Sequence, residues 1–369
     1  MIGLWSRARR ALAPWLAAMT LGLGGQALAK APPAVRPPAV RPIEIRVVVV
    51  TTWEDIQAGQ DRFGELKAWQ TKWPLATALP FPAGVHPLQY DSKTHVLAIL
   101  TGMATARATA SVMALGMDPR FDLRHAYWIV AGTAGVDPKV ASAGSVAWAR
   151  WVVDGDLAQE IDPRDAPADW PTGIVPYDRT APYEPPAPPI HGPSANVAYA
   201  LNRKLADWAY HRTKGLALHD DAALAKLRAA YSGPGAQPPF VLQGEGLMSS
   251  RFWFGEHLNQ WARRWVDYWT QGQGVFAMSA EEDSGILQAL TQLSGAGKVD
   301  LDRVLVLRGA SDYTIPPPGM TAAEFLTLEN KSGFPGTPGV LDNLYAVAAP
   351  VARSLAETWT VTRETIPGD

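Results

Sequence analysis

Arg308, Ser311 and Asp312 close a stretch that opens with four apolar residues, Val304 to Leu307. A carboxylic acid can give up a proton, a neighbouring hydroxyl can orient it, and a guanidinium can hold an anion or a water molecule. The apolar run is too short for an independent helix and suits a buried parallel strand. The three polar residues are therefore expected to emerge at its end, where open α/β sheets gather their ligands. On these residues alone, a strand followed by a plain polar turn reads the same way.

Other polar stretches follow candidate strands in the same manner. Ile43 to Thr51 is β-branched and mostly apolar, and Thr51, Thr52, Glu54 and Asp55 lie at its end. The two acids could equally cap a following helix. Val96 to Leu100 leads into Thr101-Gly102-Met103, and Ala104 to Leu115 has good helix propensity. The Gly102 turn would then present backbone N–H groups at a helix N-terminus. Tyr127 to Ala131 precedes Gly132-Thr133-Ala134-Gly135, whose glycines permit a close approach of backbone to a ligand or another strand. Val275 to Met278 precedes Glu281-Glu282-Asp283-Ser284-Gly285 and a helix through Leu293.

Phe240 to Leu242 reads as a short strand before Ser250, Arg251, Phe252 and Trp253. In the next helix Trp261, Trp265, Tyr268 and Trp269 recur at spacings of three and four, the pattern of a packed face. Phe252 and Trp253 precede that helix and can instead stack on a flat heterocycle. Asp162 to Pro193 is proline-rich and turn-prone. Two helical patterns follow, Ser194 to Thr213 with Ser194 as N-cap, and His219 to Tyr231. Leu344 to Thr360 reads as a closing helix. The alternation of strands and helices predicts an α/β fold.

With 369 residues, 47% of them hydrophobic, the chain can bury a sizeable core. A net charge of −2 without a long basic block argues against nucleic acid as a partner. Arg7, Arg9 and Arg10, the apolar run Ala11 to Leu23 and Ala27-Leu28-Ala29 have the order of an export signal. Residues 1–29 are thus expected to be a signal peptide, with a single membrane anchor as the alternative, and the protein to be periplasmic or extracellular. Residues 30–42, with a repeated Pro-Pro-Ala-Val-Arg, predict an extended spacer, and 43–369 a single domain with no membrane span in the mature chain. There is no cysteine, so disulfides and thiolate chemistry are excluded.

Several motifs are set aside. Asp283-Ser284-Gly285 matches the aspartic-protease tripeptide, but that chemistry needs a second such motif and none is present. Gly295-Ala296-Gly297-Lys298 lacks P-loop spacing, and the seven histidines are scattered, so no metal site is expected. No Gly-x-Ser-x-Gly elbow appears.

Taken in order, these stretches resemble the purine nucleoside permease family, which is itself similar to the nucleoside phosphorylase and nucleosidase superfamily. The resemblance runs from about Ile43 onward. It rests on Val47 to Glu54, Thr101-Gly102-Met103, Ala131 to Gly135, Ser250 to Gly255, Glu282 to Gly285 and Arg308 to Asp312. It implies a nucleoside phosphorylase-like central mixed sheet flanked by helices, with a purine nucleoside bound at the strand ends. Asp312 would protonate or hydrogen-bond the base, Ser311 would orient it, and Glu282 would grip the ribose hydroxyls. Phe252 and Trp253 would form an aromatic wall, with Gly132, Thr133 and Met103 also at the substrate. Glu54 would polarise an attacking water that Arg308 helps to hold, favouring hydrolysis. Arg107 is left as a phosphate ligand, so phosphate stays open as a co-substrate, and no other cofactor is implied. Glu281 stands where the superfamily often has a methionine, implying a more acidic pocket. A binding protein that serves a separate transporter is the competing expectation, and a homo-oligomer is left open.

Overall fold

The computed structural model describes residues 41–55, 63–177, 179–185, 197–332, 334 and 336–368. The expected signal peptide, most of the expected spacer and the expected Ser194 cap lie outside the described residues. Residues 41–369 form one compact unit.

Val-, Ile- and Leu-rich runs, buried on both faces, form the centre of a 12-stranded mixed sheet. Its strands are Val47–Thr51 (β1), Thr77–Leu79 (β2), Leu88–Asp91 (β3), Val96–Leu100 (β4), Tyr127–Val136 (β5), Val146–Trp148 (β6), Trp151–Asp154 (β7), Ala198–Ala200 (β8), Val241–Gln243 (β9), Glu245–Met248 (β10), Phe276–Ala280 (β11) and Val304–Tyr313 (β12). The main path is β8-β7-β10-β11-β5-β1-β4-β3-β2, and β12 pairs with β5 and β6. The helices flanking it include Glu65–Lys72 (α1), Thr105–Gly116 (α2), Arg203–Thr213 (α3), Ala222–Arg228 (α4), Glu256–Trp269 (α5), Asp283–Gly295 (α6), Ala322–Ser332 (α7) and Thr337–Glu357 (α8). This is the mixed sheet flanked by helices that the family resemblance implies. No helix among the described residues is long and apolar enough to cross a membrane.

Strand β5 is the branch point. Along one edge it pairs with β12 from Trp128 to Val136. Along the other it pairs in parallel with β1 only as far as Val130, and β11 joins antiparallel at Gly135 and Val136. Between these two partners the strand's backbone groups have no strand neighbour on that edge and are left to side chains or water. The candidate site fills that fork.

Several boundaries differ from the sequence reading. Arg308 to Asp312 do not follow their strand but lie within it, because pairing with β5 continues to Tyr313. Glu54 and Asp55 do not cap a helix; they pair with Phe63 and Gly64 in a short antiparallel ribbon. The expected helix from Ser194 begins only at Arg203, since Ala198–Ala200 is held as an edge strand against β7. Its cap is Asn202, whose side chain accepts from the Lys204 and Leu205 amides. Asp221 caps α4 in the same way. The tryptophans of α5 are buried core, as their spacing predicts.

Candidate functional site

A register shift between Ala310 and Asp312 marks a bulge at Ser311. In a regular strand, consecutive side chains point to opposite faces; a bulge re-aims one of them. Ser311 and Asp312 accordingly both line a cavity of about 330 Å3 at the fork. The Ser311 hydroxyl donates to Asp312 Oδ1 at 2.8 Å and lies 3.3 Å from the Ala134 carbonyl. Gly135 lets Asp312 come close, because a Cβ there would stand 3.1 Å from Oδ2. Burial pushes the Asp312 carboxyl up to about 7; the Ser311 bond opposes this, and Glu329 and Glu281 add to it.

The second wall comes from the start of α6. Glu282 lines the cavity, and its Oε2 accepts from Arg308 Nη2 at 2.9 Å. Its Oε1 takes a long bond, 3.4 Å, from the Ala104 amide at the start of α2. The backbone donors of the Gly102 turn therefore face a protein carboxylate, and Ser250 Oγ receives the Thr105 amide. Burial raises Glu282 to about 7 against the opposing pull of Arg308.

Arg308 does not face the cavity. Its guanidinium is committed to Glu282, to both oxygens of Asp283 and, through Nη1, to the Thr133 carbonyl at 2.9 Å. Desolvation opposes its charge, but Asp283 and Glu282 more than compensate and hold its pKa above the usual value. To reach Thr133 the side chain crosses Gly132, where a Cβ would meet Nη1 at 2.4 Å. Gly132 thus makes room for Arg308 rather than for a ligand. The water-holding place expected for Arg308 is corrected to anchoring Glu282.

The third wall holds a residue that sequence reasoning missed. Glu65, in the first turn of α1, lines the cavity and accepts on both carboxylate oxygens. The Thr52 amide at 2.6 Å, the Trp53 amide at 3.1 Å and the Thr52 hydroxyl at 3.1 Å donate to Oε2. The Thr133 amide at 2.7 Å and hydroxyl at 3.1 Å donate to Oε1. Glu65 and Arg308 together satisfy the Thr133 backbone that β1 and β11 leave open. Glu54, expected in this place, instead pairs with His86 at 3.0 Å and is not among the lining residues. The faint signal for Glu65 is Gly64: a Cβ there would lie 2.7 Å from Glu54 Cα, so glycine permits the close ribbon that delivers the acid.

Phe252, Met103 and Thr133 also line the cavity. Phe252 packs edge-on against Phe254 and Phe334. Trp253 turns away into the tryptophan cluster beside Trp261 and Phe276, so the expected aromatic pair is reduced to Phe252. Arg107, expected as a phosphate ligand, is exposed; its Nη1 reaches the Met103 carbonyl at 3.4 Å and it is not among the lining residues. Asn330, Phe334 and Thr337 close the cavity from the end of α7 and the start of α8, with no local pattern in the sequence to mark them.

Residues 44–367 match the family model described as Purine nucleoside permease (NUP). The chain belongs to the purine nucleoside permease family. A probable purine nucleoside permease of Schizosaccharomyces pombe is 30% identical over 275 residues, covering 73% of this chain and 78% of that one. The purine nucleoside permease of Candida albicans is 29% identical over 266 residues, 71% of this chain, which spans 64% of the length of that relative. Among solved structures, a 5'-methylthioadenosine/S-adenosylhomocysteine nucleosidase from Neisseria meningitidis shares 12% identity at a TM-score of 0.48, over 83% of this chain and 100% of that one. Futalosine hydrolase of Helicobacter pylori gives 10% and 0.48, over 83% and 98%. At this distance neither carries chemistry across.

Proposed function

We propose that the cavity binds a purine nucleoside and that the protein cleaves its N-glycosidic bond with water. The observation that carries this reading is Asp312: a buried carboxyl beside Ser311, raised to about 7, can still hold a proton near neutrality. Donated to the purine ring, that proton turns the departing base into a neutral leaving group. Positive charge builds on the ribosyl carbon as the bond lengthens, and Glu282, fixed by Arg308, is suited to hold the ribose hydroxyls and stabilise that charge. Water adds at the ribosyl carbon and releases one proton, which replaces the proton Asp312 gave up, and free base and ribose leave.

Glu65 is our candidate for the water's partner in place of Glu54. Two of its five donors are hydroxyls, which can rotate away and yield their place to water. The same carboxylate takes the backbone N–H groups that would otherwise cradle an anion, so water is favoured over phosphate. We further propose that residues 1–29 export the protein, so that cleavage occurs outside the inner membrane.

The relatives' description as purine nucleoside permeases points to transport rather than cleavage, and supports a second reading in which this protein captures nucleoside for a separate transporter. Base release from adenosine, inosine and guanosine, measured with and without phosphate, separates the two. Release without phosphate is expected. Binding with no release in either buffer would leave the capture protein.

A further inference from the structure

Four carboxyl-bearing residues line the cavity, Glu65, Glu281, Glu282 and Asp312, and none of the described lining residues is a lysine, arginine or histidine. Three of the four are occupied: Glu65 by five donors, Glu282 by Arg308, Asp312 by Ser311. Glu281 is different. Its carboxyl accepts no hydrogen bond and forms no ion pair among the described residues; Arg308 and Asp156 act on it, and it acts in turn on Asp312 and Glu282. Arg308 already gives four of its five N–H donors to Glu282, Asp283 and the Thr133 carbonyl, and Asp156 is held by the Ser249 hydroxyl and the Ser250 amide. A partly buried carboxylate with no partner has given up part of its hydration without compensation. It is poised to accept from a ligand, and it repels any negative charge that enters the same small space.

We propose that Glu281 is the specificity-determining residue of the cavity, its carboxylate accepting a hydrogen bond from the bound nucleoside and barring ligands that carry an anionic group, nucleoside monophosphates above all. The inference rests on the nucleoside reading and deepens it. Neutral glutamine at this position keeps the shape and an acceptor but removes the repulsion.

The test is equilibrium binding of a C-nucleoside, whose carbon–carbon base–sugar bond cannot be hydrolysed, and of its 5'-monophosphate. Both are titrated into the wild type, Glu281→Gln and Asp169→Asn, the last removing an exposed carboxylate that is not among the cavity-lining residues. The wild type should prefer the nucleoside. Glu281→Gln should shift the affinity ratio toward the monophosphate by about tenfold or more, the size of a like-charge interaction across a desolvated site. Asp169→Asn should leave the ratio unmoved. Retained nucleoside binding by Glu281→Gln shows that the variant folds, so an unchanged ratio would overturn the assignment. An equal shift in Asp169→Asn would reduce it to an effect of net charge. If the wild type binds neither compound, the nucleoside reading falls first and this inference goes with it.

Discussion

Glu65 and Asp312 are buried carboxyl residues of one cavity, and their surroundings differ in kind. Glu65 collects three backbone amides and two hydroxyls from the end of β1 and the open stretch of β5, so it acts as an acceptor on both oxygens. Asp312 receives one hydroxyl, from its own neighbour in the bulge, and is desolvated with Glu329 and Glu281 nearby. Donor count and desolvation, rather than residue type, separate a fixed acceptor from a proton carrier. Glu282 stands between them, buried like Asp312 but tied to a guanidinium it shares with Asp283.

The sharpest way to break this comparison is Asp312→Asn. If Asp312 supplies the proton, base release should fall by about 10²–10⁴-fold, while the uncleavable C-nucleoside still binds. Unchanged turnover would remove Asp312 from the chemistry. The same substitution should alter the pH dependence of stability. A carboxyl raised in the folded state to about 7 binds a proton there that the unfolded chain has already lost. Its contribution is fully present below the ordinary carboxylate range and is lost as pH rises through about 7. Urea unfolding of the wild type should therefore weaken between those limits, and Asp312→Asn should flatten that slope.

Next in size is Arg308→Met. It would leave Glu282 and Asp283 buried without their shared cation, and removing one partner of such a group costs about 3–5 kcal/mol. A fall of that size in the urea unfolding free energy is expected; a near-neutral result would mean that the pair of acids does not need the guanidinium. Glu65→Gln should cost less, about 1.5–3 kcal/mol, because the amide keeps one acceptor oxygen while the charge-assisted bonds are lost. Loss of base release that exceeds this instability, judged at temperatures where the variant is fully folded, would tie Glu65 to the water. Activity that tracks stability alone would leave it a structural anchor.

The legible parts of the molecule are the ones written locally. Val47 to Thr51 and Val304 to Leu307 announce buried strands by their β-branched runs, and the α5 tryptophans announce a packed face by their spacing. Ser311, Asp312 and Glu282 can be placed because they lie beside such elements. Glu65 cannot, because it arrives through a ribbon whose register joins Glu54 to Gly64, and pairing between distant residues leaves no periodic trace. Arg308 misleads for a related reason. At a strand end it reads as a ligand-holding cation, whereas continued pairing with β5 carries it inside, where Asp283 and Glu282 claim it.

Gly132 offers the smallest and most local test of how the two walls depend on each other. Its φ needs no glycine, since it is not among the positive-φ residues, so its cause is space alone. Alanine there would place a Cβ 2.4 Å from Arg308 Nη1 and 3.0 Å from Glu65 Oε1, pressing on the anchor of Glu282 and on Glu65 together. The guanidinium cannot retreat without loosening Glu282 or Asp283. Glu65 cannot retreat without lengthening its bonds to Thr133. Gly132→Ala should cost about 1–3 kcal/mol in urea unfolding, the usual penalty for overpacking. Gly132→Ala combined with Arg308→Met should be less destabilising than the sum of the two, because the second change removes the atom that the first one strikes. Strict additivity would show that the Arg308 crossing does not fix the choice of glycine.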